Sequence, residues 1–407
     1  MVIIMDYIFK KYYKNEDYKQ SYEDRVNFEA SLKLDFFVKD FPLYFVFNSY
    51  TINLMDRVRV LDVKLDELFR SLPDVAKFSF LDDIIVEEIH SSNEIEGVRS
   101  TKEDLLFTKK ELETNKDADL RFSSIIKSYS ALSSDDRVDS LEDIRIIYDK
   151  VVGDELARNS LPDSDLFRQG DVFIRSNKSF DGSYIHRGID ADLLNPFMER
   201  WIGFINDKDL HILLRVAIGH YLFEYMHPFY DGNGRVGRFI SSMYIRHSYS
   251  FITSLALSRG AFIKKSDYYK SFRQTSEKLN RGELNYFVDE FIKMIIKAQE
   301  DMRDLLSLNI AKLDKALDWL EDEFAGKEEM INILFVLMQD YIFALGEGLS
   351  RNYLLDGLKA IGYGNISQNI RCLDSLESED FIKKNKLRPI VYSLSDGLVS
   401  YIENDIL

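Results

Sequence analysis

Apolar residues along this chain recur mostly at three- and four-residue steps. Leu210, Leu214, Ala217, Tyr221 and Tyr225 keep that step, which places them on one face and predicts a helix. After a glycine-rich break, Val236, Ile240, Met243 and Tyr244 repeat it. Residues 285–305 and 309–324 read as two further amphipathic helices. Period-two alternation is scarce, and its best instance is 172–175 with 183–186, joined by a polar turn carrying Asp181-Gly182. Toward the C-terminus, helices are expected at 328–344, 349–360 and 365–377, then short strands at 381–384 and 390–394. Three helices followed by a hairpin is the order of a winged helix-turn-helix. The pattern predicts a mainly α chain in three regions. These are an N-terminal helical region (1–115), a helical core with a small β-hairpin (116–305), and a winged-helix-like region (306–407).

Composition narrows the classes. Of 407 residues, 53 are Lys or Arg and 69 are Asp or Glu, a net charge of −16 that disfavours nucleic-acid binding through bulk charge. Apolar residues at 45% and charged residues at 30% describe a globular chain. The single cysteine, Cys372, excludes an intrachain disulfide and a cysteine-based zinc site, and it suits a reducing compartment. The longest apolar runs, 331–338 and 43–47, fall far short of the roughly 18 residues that a membrane span needs. Near the N-terminus Lys10, Lys11 and Lys14 follow the apolar patch, the reverse of a secretory signal. A soluble cytoplasmic protein with no membrane partner is expected.

The chemistry concentrates in His227-Pro228-Phe229-Tyr230-Asp231-Gly232-Asn233-Gly234-Arg235-Val236-Gly237-Arg238. A helix runs into His227, Pro228 stops it, and a second helix starts near Arg235. Glycines at a helix N-terminus let successive backbone N–H groups converge on an anion. Arg235 and Arg238, three apart, add fixed positive charge. Asp231 is the one carboxylate of the loop and a natural Mg²⁺ ligand beside a polyphosphate. His227, with a pKa near neutrality, can take a proton from an incoming hydroxyl. A lone Gly-x-Gly is an ordinary turn, but a base, an acid, an anion nest and two arginines within one short stretch read as a nucleotide-polyphosphate site. No Gly-Lys-Ser/Thr follows and no strand precedes, so it is neither a Walker A loop nor a Rossmann fingerprint.

Residues 227–238 resemble, position for position, the His-Pro-Phe-x-Asp/Glu-Gly-Asn-Gly-Arg-x-x-Arg signature of the Fic (filamentation induced by cAMP) family. The resemblance implies a helical Fic core and transfer of AMP from ATP to a hydroxyl of a target protein, the chain itself included. It implies His227 as base, Asp231 holding Mg²⁺, Gly232, Asn233 and Gly234 on the phosphates, and Arg235 and Arg238 completing the anion site. Gly234, where the related Doc branch carries Lys, favours nucleotidyl transfer. Ser92-Asn93-Glu94-Ile95-Glu96-Gly97 resembles the family's inhibitory motif. Ser92 and Glu96 lie one helical turn apart and Gly97 is a natural C-cap, so the Glu96 carboxylate is expected to pair with Arg238 in place of the ATP γ-phosphate. The hairpin near 172–186 falls where the family places its target-positioning flap. Tyr268 and Tyr269 resemble its adenine-pocket pair, although Ser276 stands where relatives often carry Asn.

The remaining histidines carry less. His211 and His220 are expected to pack or cap, and His186 lies on the flap. Residues 327–407 hold 8 basic and 12 acidic side chains, with Lys383, Lys384, Lys386 and Arg388 as the basic cluster. A protein-interaction or homodimer role for this region therefore ranks ahead of DNA binding. The reading is an autoinhibited protein adenylyltransferase. Its rivals are removal of AMP at the same site, with Glu96 orienting water, and a winged-helix regulator whose core responds to nucleotide.

Overall fold

The computed structural model describes residues 6–118, 120–153, 155–156, 161–175, 184–343, 348–360 and 362–406. Helices dominate and the strands form small antiparallel groups, as the periodicity predicted. The chain divides into two units, Met1–Val63 with Ile85–Glu300, and Lys64–Ile84 with Asp301–Leu407. Of the N-terminal region expected from sequence, residues 1–63 and 85–115 share the first unit with the expected core, and 64–84 lie in the second. No described helix is long and apolar enough to cross a membrane.

In the first unit, the helix α2 (Ile212–Met226) leads into the motif and α3 (Asn233–Ile245) leaves it. The sequence suggested one buried face for each, but every residue of α3 and every residue from 212 to 223 is buried. Leu210 precedes α2, whose N-cap is His211, with Nδ1 accepting the Leu213 N–H at 3.3 Å. Two more helices matter to the site. The helix α1 (Asp74–Glu96) begins in the second unit and ends in the first, and α4 is Lys265–Ser276.

An N-terminal hairpin was not expected. Strands β1 (Ser31–Val38) and β2 (Phe41–Val46) pair antiparallel, and Leu43, Tyr44, Phe45 and Val46 are buried. Pro42 argues against a strand, but it lies next to the turn at the very start of β2, where a missing N–H is tolerated. On its other edge β2 meets a loop. Tyr44 donates to the Gly282 carbonyl at 3.0 Å and accepts from the Leu284 N–H at 2.9 Å. The Asn285 side chain then pairs with both backbone groups of Val46, at 2.9 and 2.8 Å. The expected second hairpin is present as β3 (Phe173–Arg175) with β4 (Tyr184–Arg187), Ile174 opposite His186. Its turn, with Asp181-Gly182, lies outside the described residues.

The two helices expected at 285–305 and 309–324 are one, Asn285–Glu323. Neither Gly nor Pro interrupts residues 306–308, so nothing breaks the backbone hydrogen bonding there. In the second unit the C-terminal elements fall close to their expected places, as helices Glu328–Phe343, Arg351–Ala360 and Ile366–Ser378. Strands β6 (Ile382–Leu387) and β7 (Ile390–Leu394) follow, and a short β5 (Leu349–Ser350) adds to the other edge of β7. Leu334, Leu337, Leu373, Leu376 and Tyr392 form its core, and the Gln339 side chain caps the start of α1 by accepting from the Ala76 N–H at 3.1 Å.

Candidate active site

Proline sets the geometry of the loop after α2. His227 closes the helix at φ 54° and ψ 64°, the left-handed region, where a side chain other than glycine's is uncommon. Pro228 disfavours the helical conformation at His227, so the chain turns there. A buried side chain, Arg168, holds the turn. Its guanidinium donates to the carbonyls of His227 (2.7 Å), Gly170 (2.7 Å), Ile189 (2.6 Å) and Met226 (3.3 Å). Its own N–H donates to the Pro228 carbonyl at 3.0 Å. No local pattern in the sequence singles out Arg168, which stands 59 residues before His227. The His227 Nδ1 lies 3.3 Å from the Glu224 carbonyl. A carbonyl only accepts, so Nδ1 carries the ring proton and Nε2 is the basic nitrogen.

The rest of the loop is clamped from inside. Phe229 stacks on Tyr148 with ring centres 3.9 Å apart. Tyr230 donates to Asp163 (2.8 Å) and accepts from the Gly170 N–H (2.7 Å). The Asn233 side chain accepts from the Phe229 N–H at 2.9 Å and donates to its carbonyl at 2.8 Å. Only its backbone N–H is left for a ligand. Gly232 caps α3, and the first N–H groups of that helix have no partners within it. Asp231 is exposed, with Oδ1 accepting from the Gly232 N–H at 2.6 Å.

A carboxylate sits at the start of α3. Helix α1 ends at Glu96, Gly97 turns the chain at φ 75°, and the Val98 N–H returns to the Asn93 carbonyl at 2.9 Å. A Cβ at position 234 would fall 1.9 Å from the Glu96 Oε1, so the missing side chain of Gly234 is what admits the carboxylate. Glu96 Oε1 is 2.9 Å from Arg238 Nη2. Arg238 also donates to the Ser92 hydroxyl and carbonyl, both at 3.0 Å. Its guanidinium is fully buried. Burial alone disfavours that charge, and Glu96 ahead of Tyr268 and Glu224 reverses the balance and pushes the pKa up. Arg235, expected on the same anion, is buried elsewhere and meets Glu155 at 3.3 Å.

Comparison with known proteins matches this region. Residues 140–245 fit the model of the Fic/DOC family. Over these residues the chain carries a Fic/DOC family domain. The protein adenylyltransferase Fic of Drosophila sechellia and that of Drosophila melanogaster are each 36% identical to it over 87 residues. That match covers 21% of this chain and 17% of theirs, so it spans about a sixth of the relatives' length. The crystal structure of a Fic family protein from Desulfovibrio desulfuricans covers 86% of this chain and 97% of its own, with TM-score 0.52 and 16% identity. At that identity the likeness shows the fold.

Within the Fic core, the two expected base-pocket tyrosines separate. Tyr269 is 46% exposed, whereas Tyr268 is buried with its hydroxyl 2.8 Å from His220 Nε2. Burial, with Arg238 beside it, pushes His220 down to about 3, so this imidazole is neutral packing as expected. Ser276 faces Tyr221 at 3.0 Å. Glu224, which sequence reasoning missed, has its Oε1 buried without a hydrogen-bond partner among the described residues, and burial followed by the charge of Glu96 pushes its carboxyl up to about 8. Among the described residues no group of three or more His, Cys, Asp or Glu could hold a metal alone. Asp231, one exposed carboxylate, fits an ion that takes its other ligands from phosphate and water.

Proposed function

We propose that the chain transfers AMP from ATP to a Ser, Thr or Tyr hydroxyl of a protein, and that Glu96 restrains the reaction in the resting state. The observation that carries this is the Glu96 carboxylate seated on Gly234 against a fully buried Arg238. A site that accepts a carboxylate at a helix N-terminus beside a guanidinium accepts a phosphate there by the same donors. In the reaction, His227 Nε2 takes the hydroxyl proton, the oxygen forms a bond to the α-phosphorus, and the bond to the β-phosphate oxygen breaks. Pyrophosphate leaves. The N–H groups at the start of α3 hold the phosphates in line, and Arg238, once Glu96 withdraws, pairs with the γ-phosphate. Mg²⁺, for which Asp231 is the protein ligand, would neutralise phosphate charge when bound. The β3–β4 hairpin would pair with the extended target segment, and residues 306–407 would serve as a winged-helix-like partner or dimer surface.

The test is incubation of the full chain and its Glu96→Gly variant with labelled ATP, Mg²⁺ and cell lysate, with labelled bands identified by mass spectrometry. Glu96→Gly should label both target and itself faster than wild type does. Asp231→Ala should lose the Mg²⁺ dependence with little change in melting temperature. No label from either protein, together with release of AMP from pre-modified protein, would reverse the assigned direction.

A further inference from the structure

The carboxylate of Glu96 can occupy the nest only if the last turn of α1 is fixed, and a helix end leaves several carbonyls without intrahelical partners. The Val98 N–H closes on the Asn93 carbonyl. The next two carbonyls go to one neighbouring helix. Lys265 Nζ donates to the Glu94 carbonyl at 2.7 Å, and the Tyr269 hydroxyl donates to the Ile95 carbonyl at 2.8 Å. Lys265 and Tyr269 are four residues apart on α4 and share a face. An ammonium at a helix C-terminus also meets the negative end of the helix dipole. Between these bonds the Ile95 side chain is buried among Ala261, Tyr268 and Met294.

We infer that Lys265 and Tyr269 form a latch: they are positioning residues that hold Glu96 in the nest and so set the resting rate. The inference rests on the autoinhibited reading above and deepens it. Neither residue touches Arg238 or the Glu96 carboxylate through these bonds. They act on the backbone two residues and one residue before it. The latch also ties restraint to the helix that carries Tyr269, so anything that draws the Tyr269 hydroxyl off Ile95 loosens Glu96.

Lys265→Met and Tyr269→Phe keep bulk and remove the donors. Each should raise AMP transfer about fivefold, and the pair about 30-fold, as expected for the loss of one and two ordinary hydrogen bonds from the seated state. In the Glu96→Gly background, Lys265→Met should add nothing, because no carboxylate remains to be positioned. A tyrosine that served only as a platform for a base would leave Tyr269→Phe at the wild-type rate. Amide hydrogen exchange supplies a readout independent of catalysis: residues 94–98 should exchange faster in the paired variant, while protection elsewhere in the same unit is unchanged. If Glu96→Gly is activated and the paired variant is not, the latch is wrong and the autoinhibited reading stands. If Glu96→Gly is no faster than wild type, that reading falls. The exchange rates then decide the latch alone, with unchanged protection at 94–98 overturning it.

Discussion

Arg235 and Arg238 leave the first turns of the same helix and each meets a carboxylate, yet the two seats are built differently. Around Arg235 both partners are buried, with side-chain exposures of 1% and, for Glu155, 6%. Around Arg238 the guanidinium is at 0% but Glu96 is 32% exposed. Arg238 also keeps the Ser92 hydroxyl and carbonyl as further acceptors. Withdrawing a carboxylate from a buried guanidinium ordinarily leaves an uncompensated charge. At Arg238 the exposure of Glu96 and the two Ser92 bonds reduce that penalty. One seat therefore suits a permanent structural pair, and the other suits an anion that can be exchanged for phosphate.

The largest effect is expected at the proposed base. Adding His227→Ala to Glu96→Gly should lower AMP transfer by about 10²–10⁴-fold, the usual loss for general-base catalysis. Near-equal rates in labelled-AMP assays would remove His227 from its role. Next comes stability. Glu155→Ala should destabilise the protein by about 3–5 kcal/mol, the cost of stranding a buried charge, and Glu96→Gly by much less. Equal falls in melting temperature would show the two seats to be alike.

Glu224 gives a pH-dependent measure of the same neighbourhood. Its carboxyl is pushed from an ordinary 4.5 up to about 8, by burial first and by Glu96 second, with Arg238 opposing. Between those values the folded state keeps a proton that the unfolded chain releases, so stability falls as pH rises through this window and levels off above it. Melting curves of Glu224→Gln should lack that decline, and Glu96→Gly, without the neighbouring charge, should shrink it. A wild-type profile identical to that of Glu224→Gln would show that the group titrates normally. The smallest effect should be Ser92→Ala. It removes one of several acceptors on Arg238, worth about 0.5–1.5 kcal/mol, and should cost more in the Glu96→Gly background than in wild type.

The sequence made some parts of the site legible and hid others for physical reasons. The 227–238 loop is restricted at almost every position: a proline that ends a helix, glycines that admit an anion, and arginines at turn spacing. Glu96 was legible because residues 92–97 resemble the family's inhibitory motif, whereas their spacing by itself describes only a capped helix end. Arg168, Glu155 and Lys265 were not, since each reaches the site across 59, 80 and 171 residues of chain respectively. Asn233 shows a subtler limit. Its position in the motif was plain, but whether its amide faced outward to phosphate or inward to Phe229 depended on loop closure. The β1–β2 hairpin was hidden because Pro42 reads as a strand breaker and because its second edge is completed from the far end of the unit.

That completion bears on how the chain is made. The backbone groups of Val46 wait for the Asn285 side chain, 239 residues further on. At synthesis rates of about 5–20 residues per second, the N-terminal hairpin emerges from the ribosome on the order of 10 to 50 s before its edge can be covered. During that interval its paired strands present open N–H and C=O groups to any other nascent chain. A translation product cut short before residue 282 would carry this exposed edge permanently. Such fragments should associate or be degraded rather than persist.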